Sequence, residues 1–90
     1  MERDQIKWDL QLIFVYYSSF ADRNNYKLLK QQNYRRLLID CECVQQEGNF
    51  AHFDIAFQKL SHSAIIFKDF LKLIPEIAGT SLLIFDRNHL

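Results

Sequence analysis

Asp22 and Asn24 stand one residue apart at the head of the stretch "FADRNNYKLLKQQNYRRLL", Phe20 to Leu38. Oxygen-bearing side chains at that spacing are how a calcium-binding loop begins. Such a loop takes oxygen ligands at its first, third, fifth, seventh and ninth positions and a bidentate acid at its twelfth, and it turns on a glycine at the sixth. Counted from Asp22, the fifth residue is Tyr26, a poor ligand, and the sixth is Lys27. The seventh, Leu28, offers only its carbonyl; the ninth is Lys30, and the twelfth is Asn33, neutral and at best monodentate. The packing positions survive, with Leu29 at the eighth place and Tyr34 just past the end. Calcium affinity follows ligand charge and count, and here one carboxylate faces Arg23, Lys27 and Lys30. The expectation is a loop that keeps the frame of a calcium site in Asp22, Asn24, Tyr26, Lys30 and Asn33 without its affinity, so that no metal and no cofactor is expected.

The other chemistry-bearing residues point the same way. Cys41 and Cys43 offer two thiolates, but a tetrahedral zinc site needs two more ligands. Only His52 and His62 could supply them, at no recognised spacing, so "CEC" reads as a helix end with a buried thiol. Cys43 with His52 lacks a glycine-rich turn to form an oxyanion hole, and Ser61, His62 and Ser63 read as turn residues. No catalytic residues are assigned and no enzyme is expected. A second loop aligned on Ile65 puts Asp69 at its twelfth place, leaving Ser61 to Ala64 to do the work of seven residues. It cannot wrap an ion, but Ile65 is in register to pair with Leu29 as a short β bridge between the two loops.

The elements that must position these residues are helical. With two glycines and one proline the chain has few turn signals, so apolar periodicity is the guide. Asp4 can cap a first helix whose stripe is Leu10, Ile13, Phe14, Tyr17 and Phe20. A second helix starts at Leu29 or Lys30 and carries Tyr34, Leu37, Leu38 and Cys41 on one face. Gly48 and Asn49 break and cap ahead of a third, with Phe50, Phe53, Phe57 and Leu60. "IIF" is a short extended piece, and Phe67, Phe70, Leu71, Ile74, Ile77 and Ala78 form a fourth stripe that Gly79 suits as a stop. Pro75 implies a kink there or a short new helix. The predicted fold is all-α, two helix–loop–helix units over residues 1–79, followed by an apolar tail, residues 80–90.

The 90 residues fit one domain, and 14% aromatic content argues against disorder. Eleven basic and eleven acidic side chains cancel, so no net field draws nucleic acid or an anionic membrane. Two cysteines make no disulfide scaffold, which fits a reducing compartment. The charged start "MERDQIKWDL" does not read as a signal peptide, and the longest apolar run falls short of a membrane span.

From about Leu12 to Ala78 the chain resembles the EF-hand-like domain of the tubulin polymerisation-promoting protein family and its protist ciliary relatives. The resemblance is carried by "FADRNN", "NYRRLLIDCECV", "FDIAFQKL" and "IIFKDFLKLIPEIA". It implies a pair of EF-hand-like units with degenerate calcium loops, a protein associated with microtubules, cilia or basal bodies, and a cytoplasmic, cytoskeletal or ciliary location. The better-known members carry a glycine-rich C-terminal segment tied to tubulin and nucleotide behaviour. This chain has only Gly48 and Gly79, so the resemblance covers the helical scaffold.

Surplus apolar surface reads either as a site for protein partners, which the resemblance implies are tubulin or axonemal proteins, or as a face over which the C-terminal "SLLIF" folds back. "LQLIFVYYSSF" is apolar almost all round: Leu12, Val15 and Tyr16 lie off the core stripe, and Ile55, Leu73 and the tail residues Leu82, Leu83 and Phe85 add to the surplus. A surface helix of a small monomer has a polar back, and excess apolar surface marks a contact. Lys27, Lys30, Arg35 and Arg36 make a local basic patch that reads as a solvated face or as a contact for an acidic surface.

Overall fold

The computed structural model describes residues 2–45 and 48–80. Its elements are α1 (Glu2–Ser18), β1 (Leu29–Lys30), α2 (Gln31–Asp40), α3 (Ala51–Leu60), β2 (Ala64–Ile65) and α4 (Phe67–Thr80). The order is helix–strand–helix twice over. The two halves are joined by one antiparallel ribbon in which Leu29 pairs with Ile65 and Lys30 with Ala64, the pairing expected from the sequence.

Every element sends side chains to a single core: Phe14 from α1, Tyr34, Leu37 and Leu38 from α2, Phe53 and Phe57 from α3, Phe70, Leu73 and Ile77 from α4, and Leu29 and Ile65 from the ribbon. Aromatic contacts cross between the halves. The Phe14 ring lies 5.5 Å from Phe67 and from Phe70, and the Tyr34 ring lies 5.3 Å from Phe57. Tilted and edge-on rings at these separations add to what their buried area contributes.

The helix ends have local causes. The Asn49 side chain accepts the Ala51 N–H at 2.8 Å, satisfying an orphan donor at the start of α3. At the end of α2 the Cys43 N–H returns to the Leu38 carbonyl at 2.8 Å and the Glu42 N–H to that of Ile39 at 3.0 Å. Glu42 between them has φ 59°. This is a Schellman stop with glutamate in the left-handed position that glycine usually takes. "CEC" is therefore a helix terminator: Cys41 caps, Glu42 reverses the chain, and Cys43 turns back to donate its thiol toward the Ile77 carbonyl at 3.6 Å.

Several sequence expectations need correction. Ile13 and Phe20, assigned to the core stripe of α1, are exposed, while Leu10 and Tyr17 are half-buried and Phe14 and Ser18 are fully inside. A helix apolar all round does not announce which line it buries, and contacts with α2, β1 and α4 decide it. Leu73, counted as surplus surface, is buried; Ile55 is exposed. Asp4 lies within α1 rather than ahead of it, and α2 starts at Gln31 because Leu29 and Lys30 belong to the ribbon. No new helix begins at Pro75: α4 runs through it and past Gly79 to Thr80. Pro75 is exposed, and α4 forgoes the one hydrogen bond that its missing N–H would have made to the Leu71 carbonyl. Leu82, Leu83 and Phe85 lie outside the described residues.

Candidate functional site

The first loop holds itself together with its own side chains. Asp22, its leading acid, has the Lys30 ammonium 3.7 Å away, so the cation beside this carboxylate is a lysine four residues before the loop closes on Asn33's neighbour Tyr34. The Asn25 side chain folds the middle: its Oδ1 accepts the Leu28 N–H at 3.1 Å and the Lys27 N–H at 3.3 Å, and its Nδ2 donates to the Leu28 carbonyl at 2.8 Å. Asn33, at the place where an ion-binding loop would present an acid, is buried and faces the other way. Its Nδ2 donates to the Phe20 carbonyl at 3.2 Å, tying the start of α2 to the residues that follow α1.

A shallow hollow of about 440 Å³ remains, lined by Asp22, Asn24, Asn25, Tyr26, Lys27 and Leu28. Tyr26 is exposed and carries the Lys27 ammonium 5.5 Å from its ring centre. Among the described residues no three His, Cys, Asp or Glu side chains gather as a metal site would need. The second loop is shaped by Ser61, whose hydroxyl accepts the Ser63 and Ala64 N–H groups at 3.3 and 3.4 Å.

The basic residues predicted as a patch are exposed but engaged. Arg35 donates from Nε and Nη2 to the two carboxylate oxygens of Asp54, at 3.1 and 2.5 Å, and its guanidinium lies 5.3 Å from the centre of the Phe50 ring. That hydrogen bond raises the Arg35 pKa further. Arg36 pairs with Asp40 at 3.5 Å and lies 5.8 Å from the Phe20 ring centre. Asp40 also accepts the Tyr17 hydroxyl at 2.6 Å, a second tie between α1 and α2. Burial first, and that hydrogen bond second, push the Tyr17 pKa well above the usual tyrosine range. The cations therefore present a decorated surface with part of their charge answered at home.

Neither cysteine is set up as a nucleophile. Burial raises both thiols, Cys43 to about 11, with the neighbouring Cys41 adding to it. A thiol raised in this way is inert at neutral pH.

What stands out is one face of α1. Trp8, Leu12 and Tyr16 are 59%, 55% and 60% exposed and recur every four residues along it as a ridge, and Phe20, 43% exposed in the turn just past its end, continues the line. The Tyr16 ring lies 5.0 Å from that of Tyr17 and 6.5 Å from that of Phe20, so the C-terminal half of the ridge is a continuous aromatic surface. Leu12 and Tyr16 were singled out in the sequence, and Val15 turns out half-buried. Trp8 and Phe20 were missed as surface residues, although the constant four-residue step was there to be read. The clasp made by Asn33 was also missed, because residue type alone does not say which way a side chain faces.

No protein-family model, curated protein or solved structure matches this chain.

Proposed function

We propose that this chain is a non-catalytic, calcium-independent structural or adaptor module: a pair of degenerate EF-hand-like units that holds a fixed shape and binds protein partners within a microtubule-based, ciliary or axonemal assembly. The observation that carries the adaptor reading is the exposed Trp8–Leu12–Tyr16–Phe20 ridge along α1 and the turn that follows it, since apolar surface of this continuity marks a contact. The EF-hand-like reading is supported by the helix–strand–helix order and the Leu29–Ile65 pairing. Calcium independence is supported by Lys30 beside Asp22 and by Asn33 turned inward. The microtubule and ciliary setting, and with it a cytoplasmic or cytoskeletal location, rests on the sequence resemblance alone.

Co-sedimentation of the chain with microtubules and co-purification with axonemes test the setting, and absence from both fractions sinks it. Calorimetry with millimolar calcium tests the loop: no binding heat is expected, and a saturable heat would restore a metal-site reading.

A second reading is a light-chain-like subunit gripping an amphipathic target helix. It is favoured by the groove of about 340 Å³ between α3 and α4, lined by the apolar Ile55, Ala56, Leu60 and Leu73 together with His52, Lys59, Lys72 and Glu76. It predicts tight binding of a single helical peptide and no affinity for tubulin.

A further inference from the structure

We propose that the first occupant of the α1 ridge is a second copy of this chain, packed through α1 about a twofold axis between Leu12 and Tyr16. The inference rests on the reading of this face as a contact surface and names its partner.

The first argument is geometric. Trp8, Leu12 and Tyr16 form an i, i+4 row on α1, extended by Phe20 in the turn after it, whose ring lies 6.5 Å from that of Tyr16; such rows are the ridges that interdigitate in the commonest helix–helix packing, with axes crossing at about 50°. A contact through one ridge and its own copy is isologous, and it closes after two subunits. With the axis at the middle of the row, Leu12 meets the Tyr16 of the second copy and Trp8 approaches its Phe20. Each contact then sets a large ring against an apolar partner. Exposed Ile13 and half-buried Val15 border the ridge beside the polar Asp9, Gln11 and Ser19, so the groove that receives the other copy is apolar at its middle and polar towards its ends.

The second argument is charge. At the Phe20 end the Arg36 guanidinium lies 5.8 Å from the ring centre. The antiparallel arrangement brings this cation, which is paired with Asp40 of its own copy, toward the Trp8 ring of the other, and it opposes the two helix dipoles; a parallel arrangement would set like ends together.

The third argument is area. Aromatic side chains bury roughly 150–250 Å² each, and these four residues are about half exposed. The ridge would thus remove roughly 400 Å² per copy, and its borders bring the total to about 1,000 Å². That is the lower edge of specific interfaces, so association is expected with a Kd on the order of 10 µM.

Trp8 is the only tryptophan in the chain and sits in the ridge, so its emission reports the contact without any substitution. In sedimentation equilibrium the full chain is expected to pass from monomer to dimer over tens of micromolar, with a blue shift of Trp8 emission over the same range. Leu12→Asp and Tyr16→Asp are expected to weaken association at least tenfold while keeping the helical circular dichroism of the wild type. A wild type that stays monomeric at 200 µM, roughly twentyfold above the expected Kd, overturns the inference. So does a dimer that leaves Trp8 emission unchanged, or one that survives both substitutions in folded protein. If the wild type is monomeric but Leu12→Asp abolishes capture by microtubules or axonemes, the twofold contact is wrong and the ridge remains a partner face. If the wild type is monomeric and capture is unaffected, both readings of the ridge fall.

Discussion

Changing Asn33 to Asp alters one side-chain atom group and reverses the logic of the loop. In the native chain the buried Asn33 amide donates to the Phe20 carbonyl at 3.2 Å. In Asn33→Asp the donor becomes an acceptor, so at neutral pH a buried carboxylate oxygen faces the Phe20 carbonyl oxygen in place of the hydrogen bond between them. Both burial and the facing carbonyl favour the neutral acid. The introduced carboxyl should therefore have a folded-state pKa raised about 2 units above the unfolded value of about 3.9, which corresponds to about 2.7 kcal/mol of lost stability at pH 7. Because the raised pKa belongs to the folded state, that state binds more protons between about pH 4 and pH 6. Relative stability is then fully present below pH 4 and is lost as pH rises through the folded pKa. Protonation also restores an O–H that can donate to the Phe20 carbonyl. A domain of this size shifts its Tm by roughly 4–8 °C per kcal/mol. Thermal unfolding followed by circular dichroism should accordingly show a deficit of roughly 10–20 °C at pH 7 that shrinks to a few degrees near pH 4. An equal deficit at both pH values would mean that the loss is one of shape, and no deficit at pH 7 would mean that Asn33 is not a clasp. Millimolar calcium is expected to leave the pH 7 deficit unchanged, since Lys30 stays beside Asp22.

Three further perturbations test other parts of the structure. The Tyr34 ring is fully buried against Phe57, but its hydroxyl has no hydrogen-bond partner among the described residues; Tyr34→Phe keeps the packing and should raise stability by about 1 kcal/mol in urea unfolding. Glu42 holds φ 59° in the stop after α2, so Glu42→Gly should stabilise by about 0.5–1 kcal/mol, whereas the same exchange at an exposed position within a helix would destabilise. Burial pushes the Cys43 thiol up to about 11 and holds the Tyr17 and Tyr34 hydroxyls above their usual range. The unfolded chain releases these protons first, so urea midpoints should be level from pH 6 to pH 8 and fall as pH rises above about 9.

How much was legible in the sequence depended on whether a residue's role follows from its type or from its direction. The four helices, the short extended piece before the fourth and the Leu29–Ile65 pairing all follow from spacing, because a three- or four-residue apolar step and a loop register have few solutions. The left-handed turn at Glu42 was not legible, since the residue that signals such a stop is glycine and here it is glutamate. The inward amide of Asn33 was not legible either, because the same side chain could have faced solvent or an ion. The sharpest failure was in α1. Ile13, Phe14, Tyr16, Tyr17 and Phe20 are all large and apolar, so periodicity could not separate the buried line at Phe14 and Ser18 from the exposed ridge at Trp8, Leu12, Tyr16 and Phe20. The packing of α2, β1 and α4 against α1, with Phe67 and Phe70 of α4 on Phe14, makes that choice.

An ion in such a loop is a cross-link whose presence depends on its concentration, and that dependence is what turns a helix pair into a sensor. Here the cross-links are covalently part of the chain: Lys30 to Asp22, Asn25 across Leu28, Asn33 to Phe20, and Tyr17 to Asp40. The last two tie α1 or the residues following it to α2 with no ion between them. On the calcium-independent reading proposed above, the α1 ridge is displayed at all times rather than on a signal. A constantly displayed apolar face on a small domain must be covered for the protein to remain dispersed. On that reading the same ties that argue against a calcium switch argue for a standing partner. A second copy of the chain is the one partner always available where the protein is made.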